Sequence, residues 1–149
     1  TLFALFAAYQ TYLATAWGAG LTPDSISYIE GARTILKDGN LSGLGSHWPP
    51  LYFLLIAFWS VVLHDPLVAA KWLQITTMGI NIFLIAYILY KNTGKSLVTS
   101  LVGTLLFVTS PTVLFIHAMA WTEALFCLFA LLGFYFLAEY LQRQERISF

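Results

Sequence analysis

Apolar positions run along this chain in long blocks, without the period-two alternation of half-buried strands. Four blocks approach the roughly 20 residues that a helix needs to cross about 30 Å of hydrocarbon. They cover residues 1–20, 66–90, 96–117 and 122–141. The pattern predicts an all-α polytopic membrane bundle of about four transmembrane helices, because a helix satisfies its own backbone groups where lipid cannot. An outer-membrane barrel is not indicated. Pro111 lies inside the third block and predicts a kink or an early end there.

The stretch 21–65 is patterned differently. Thr22-Pro23-Asp24 reads as a helix start, with Thr22 as cap, Pro23 at the first position and Asp24 suited to the helix dipole. Ile26, Ile29, Ala32, Ile35 and Leu36 then keep helical spacing, Glu30, Arg33 and Lys37 lie off that face, and Gly39 supplies the stop. Such a helix is too short and too polar to span, and reads as amphipathic and surface-lying. A second apolar piece, 50–63, is about 14 residues and suits an interfacial or re-entrant segment.

Charge gives orientation. Lys91 and Lys95 occupy a tight turn, and Arg143 and Arg146 follow the last block, so the positive-inside rule places both groups in the cytoplasm. The 21–65 loop is then external, residues 142–149 form a cytoplasmic tail, and 1–149 is one membrane domain of the inner or plasma membrane. Composition agrees: 59% hydrophobic, 17% aromatic and 9% charged residues rule out a soluble globular protein, for which about 25% charge is usual. Seven basic residues balance seven acidic ones without a cluster, which excludes nucleic-acid binding. A single cysteine, Cys127, excludes a disulfide framework and a Cys-based zinc site.

Few residues can carry chemistry. Asp24 sits just past the first block, above a surface helix, where a lipid-borne substrate could be met; a first-turn carboxylate is the plainer reading. Glu123, after Thr122 at the outer end of the fourth block, has the same two readings. Lys71 either snorkels to the headgroups or acts as counter-charge for a phosphate. His47, His64 and His117 invite a haem or chlorophyll reading, but none falls at mid-membrane, and interfacial hydrogen-bonded histidines fit better. Trp17, Trp48, Trp59, Trp72 and Trp121 match an outer interfacial belt.

The run from Asp24 through Tyr28 to Arg33, then Gly39, then His47-Trp48-Pro49-Pro50-Leu51-Tyr52, resembles the first external loop of GT-C glycosyltransferases. The branch it resembles is glycosyltransferase family 39 with the bacterial protein-mannosyltransferase-like proteins. Asp65-Pro66, Lys71, Ser110-Pro111 and Thr122-Glu123 continue the resemblance. It implies inverting transfer of a sugar from a polyprenyl-phosphate carrier to an acceptor at the outer face. Asp24 is then general base or orienting partner. Glu123, Tyr28 and His47 bind substrate, and Lys71 contacts the lipid phosphate. The resemblance makes no cofactor certain and leaves room for a divalent metal, as in metal-using relatives. Partners are membrane lipids, the polyprenyl-phosphate sugar and, in a larger assembly, other membrane subunits. Family enzymes have more spans, and the chain opens at Thr1 inside an apolar run, so it reads as the N-terminal part of a longer protein. The alternative is a non-enzymatic accessory subunit of a photosynthetic or respiratory complex.

Overall fold

A computed structural model of the chain describes residues 2–39 and 49–147. Among them are seven helices: α1 (Leu2–Ala14), α2 (Pro23–Asp38), α3 (Pro50–Leu63), α4 (Pro66–Asn92), α5 (Leu97–Val108), α6 (Pro111–Ala118) and α7 (Glu123–Ile147). Four of them begin at a proline, whose fixed φ suits the first helical position and whose missing N–H is not needed there.

Two helices are long and apolar enough to cross a membrane: α4, at 27 residues, and the Glu123–Gln144 part of α7. The third expected span is a broken one, α5 and α6 bent by 57° at the Ser110-Pro111 break. Ser110 caps the new helix, its hydroxyl accepting from the Val113 N–H. The count of four is looser at the first block. There α1 has 13 described residues, about 20 Å of helix at 1.5 Å per residue, shorter than a crossing needs.

The centre of the bundle is α4, which packs against each of the other six helices. Small residues let α1 approach it: a Cβ on Gly79 would stand 3.5 Å from the Ala8 Cβ and 3.6 Å from the Ala4 carbonyl oxygen. At one end α2 and α3 pack with the first turns of α4 around Tyr28, Ala32, Tyr52, Phe53, Ile56 and Leu73. A second core lies further along, around Ala7, Met78, Ile82, Ile85 and Val108.

The start and stop of α2 are as predicted: Thr22 caps it and Gly39 ends it in the left-handed conformation at φ 66°. Its apolar face is rotated from the expected one. Ile29 and Ala32 are buried together with Ser25 and Tyr28, while Ile26 and Leu36 are exposed. Packing on α3, not the membrane surface alone, decides that face. The turn between α3 and α4 is only His64-Asp65. His64 adopts φ 60° and its N–H reaches the Ser60 carbonyl at 2.7 Å, while Asp65 caps α4 by accepting from the Leu67 N–H at 2.9 Å.

Candidate functional site

The loop before α2 and the loop before α7 are joined backbone to backbone. Gly20 N–H donates to the Ala118 carbonyl at 2.8 Å, and Ala120 N–H donates to the Gly20 carbonyl at 2.9 Å. This is a one-residue parallel bridge between Gly20 and Met119. Two residues further on, the Trp121 indole N–H donates to the Thr22 hydroxyl at 2.9 Å. Residues 99 apart in sequence are thus held together, and each strand of the pair leads directly into a helix whose first turn carries an acid: Asp24 on α2 and Glu123 on α7.

Tyr28, one turn beyond Asp24, is 4% exposed. Its ring meets Tyr52 edge-on at 4.9 Å and Phe53 at 5.5 Å. Burial pushes the Tyr28 hydroxyl above its ordinary range; a hydrogen bond with Thr122 pulls the other way, and the Asp24 and Glu123 carboxylates push it up further. Tyr28 therefore lies within electrostatic reach of both acids, which are themselves exposed.

A polar layer lies beneath them. The Gln74 side-chain amide on α4 donates to the Tyr52 hydroxyl at 2.8 Å and to the Trp121 carbonyl at 2.7 Å. Two turns further along α4, the Asn81 amide donates to His117 Nε2 at 2.9 Å and to the Ala124 carbonyl at 3.0 Å. His117 Nδ1 in turn lies 2.8 Å from the Val113 carbonyl. Only the Nδ1–H tautomer satisfies both neighbours, so both ring nitrogens are engaged and neither faces a haem iron. His117 is buried in the bundle and is hydrogen-bonded, as expected. Sequence reasoning missed Gln74 and Asn81, though an amide inside an apolar block is a signal, since such groups need partners. It also treated Trp121 as one belt tryptophan among five.

Lys71 is half-buried with its ammonium 4.7 Å from the centre of the Tyr12 ring, a cation–π contact. It lines a groove of about 370 Å³ with Trp17, Leu21, Leu67 and Trp72, between the end of α1 and the start of α4. Among the described residues, no ion pair joins it to Asp24 or Glu123. His47 lies outside the described residues. Among the described residues no three His, Cys, Asp or Glu side chains gather as metal ligands.

At the opposite end of α4, Lys91 pairs with Glu139 of α7 at 2.7 Å and donates to the Tyr135 hydroxyl at 3.0 Å. The C-terminal ends of α4 and α7 therefore share one end of the molecule, and the acids share the other.

A model of the dolichyl-phosphate-mannose-protein mannosyltransferase family matches residues 39–148. The chain belongs to that family. The match runs from the end of α2 through α7 and takes in Lys71, Gln74, Trp121 and Glu123; Asp24 and Tyr28 stand ahead of it. No curated protein and no solved structure matches the chain. Membership of this mannosyltransferase family, with the membrane-crossing helices, makes the chain a multi-pass membrane protein of the glycosyltransferase type.

Proposed function

We propose that this chain is the N-terminal part of an inverting glycosyltransferase that moves a sugar from a polyprenyl-phosphate carrier to an acceptor hydroxyl at the outer face of the membrane. The observation that carries the reading is the junction of the two loops, which delivers Asp24 and Glu123 to one end of the bundle with Tyr28 in reach of both. The family match supports a transferase over a non-enzymatic accessory subunit.

In this reading Asp24 takes the proton from the acceptor hydroxyl as its oxygen attacks the anomeric carbon. The bond from that carbon to the phosphate oxygen breaks, and polyprenyl phosphate leaves with the electron pair. Glu123 and the Tyr28 hydroxyl bind and orient the acceptor, as does His47. Lys71 meets the lipid phosphate at the mouth of its groove, where Trp17 and Trp72 would line the carrier's first isoprene units.

Asp24→Asn in the intact protein tests this. The change keeps the shape and removes the basicity. A general base typically contributes about 10²–10⁴-fold, whereas a first-turn carboxylate contributes only about 0.3–1 kcal/mol to its helix. Sugar transfer from the lipid carrier should collapse while expression and folding persist. Transfer that survives within a few fold removes Asp24 from the mechanism.

A further inference from the structure

We propose that Trp121 is a positioning residue, whose bond to Thr22 sets the gap between Asp24 and Glu123. Its functional half rests on the transferase reading above. Three pairs share one offset of 99 residues. Gly20 is bridged to Met119, Thr22 is bonded to Trp121, and the next pair in the same register is Asp24 with Glu123. Both chains turn helical at this point, so the register of the short parallel pair decides where each helix starts and where its first carboxylate stands.

Trp121 commits three groups to this. Its backbone N–H reaches the Met119 carbonyl at 2.9 Å, its carbonyl accepts from Gln74 at 2.7 Å, and its indole N–H donates to Thr22. Its ring also packs edge-on against Phe115 at 5.6 Å. The Thr22 hydroxyl that it holds is the cap of α2, accepting from the Ser25 N–H. Above the bridge, Gly20 admits the Met119 side chain: a Cβ there would lie 2.2 Å from the Met119 sulfur.

The test leaves both carboxylates in place. Nitroxide labels at Ser27→Cys and Phe126→Cys, in a Cys127→Ala background, report the gap one turn inside each helix by pulsed electron resonance. Trp121→Phe keeps the ring and loses the N–H; Thr22→Val loses the acceptor; Thr22→Ser keeps it. The distance distribution should be narrow in the parent and in Thr22→Ser, and broad in the other two. In the unlabelled intact enzyme, those two variants should lower kcat by up to about 100-fold, the scale of a small misplacement, with KM for the lipid donor unchanged and Thr22→Ser restored. The double variant should be no worse than either single one. Unchanged distributions overturn the proposal. Broad distributions with unchanged kcat overturn its catalytic half. If Asp24→Asn also leaves transfer intact, Asp24 leaves the mechanism; a parent protein that transfers no sugar removes the transferase reading, and the structural clasp stands in either case.

Discussion

At the level of single residues, the Tyr28 hydroxyl is the group that senses both acids. Burial and two nearby negative charges disfavour its tyrosinate, so its folded value lies above that of the unfolded chain. The neutral form is therefore stabilised by folding. That contribution is complete below the unfolded value near pH 10 and is lost as the pH rises through the raised folded value. Tyrosinate absorbance, taken as wild type minus Tyr28→Phe, should show Tyr28 titrating above free tyrosine. Asp24→Asn and Glu123→Gln should each move it down. A Tyr28 that titrates like a free tyrosine would contradict its burial near the carboxylates. The places of Asp24 and Glu123 in the first turns of α2 and α7 were legible in the sequence, because helix-start chemistry such as the Thr22 cap is local. The bond from Trp121 to Thr22 was not: nothing in either segment specifies a partner 99 residues away.

Helix starts were legible for the same local reason, since α2, α3, α4 and α6 each begin at a proline. The face that each helix buries was less so, because it depends on neighbours: α2 turns Tyr28 and Ser25 inward to meet α3 and leaves Ile26 outside. The two amides of α4 show what binds the elements together. Gln74 and Asn81 each tie α4 to a carbonyl at the start of α7 and to a second side chain, while Gln74 Oε1 and Asn81 Oδ1 have no partner among the described residues. Reversing either amide would set its oxygen against a carbonyl oxygen, which fixes both orientations. Asn81→Leu leaves His117 Nε2 and the Ala124 carbonyl without that donor. A stranded buried polar group costs about 1–3 kcal/mol, although side-chain bonds measured inside membranes average about 0.6 kcal/mol. Thermal unfolding in detergent should therefore fall for Asn81→Leu. The double change Asn81→Leu with His117→Leu should fall by less than the sum of the two single changes, because the partners leave together. Strict additivity would mean that the two side chains do not support each other.

For the molecule as a whole, the pairing of Lys91 with Glu139 gathers the basic ends of α4 and α7 at one pole, and the Gly20–Met119 bridge gathers the acids at the other. Four of the seven basic residues, Lys91, Lys95, Arg143 and Arg146, fall at the first pole. The other three, Arg33, Lys37 and Lys71, belong to the second, so the difference in number is small. What decides orientation is where the charges sit. Short loops close to span ends weigh most, and long loops translocate largely regardless of charge. Lys91 ends α4 and Lys95 follows in the short turn before α5, whereas Arg33 and Lys37 lie on α2, where Arg33 is paired with Glu30. On that argument we expect the basic pole in the cytoplasm and the carboxylates facing outward, as the proposed function requires. Cysteines at Glu30 and at Asn92, each exposed, report the two poles in a Cys127→Ala background. In intact cells a membrane-impermeant maleimide should label Glu30→Cys and should reach Asn92→Cys only after the membrane is opened. The reverse pattern would turn the molecule over and place Asp24 and Glu123 in the cytoplasm. Labelling of both from outside would mean that α4 does not cross, and would remove the span that holds the two poles apart.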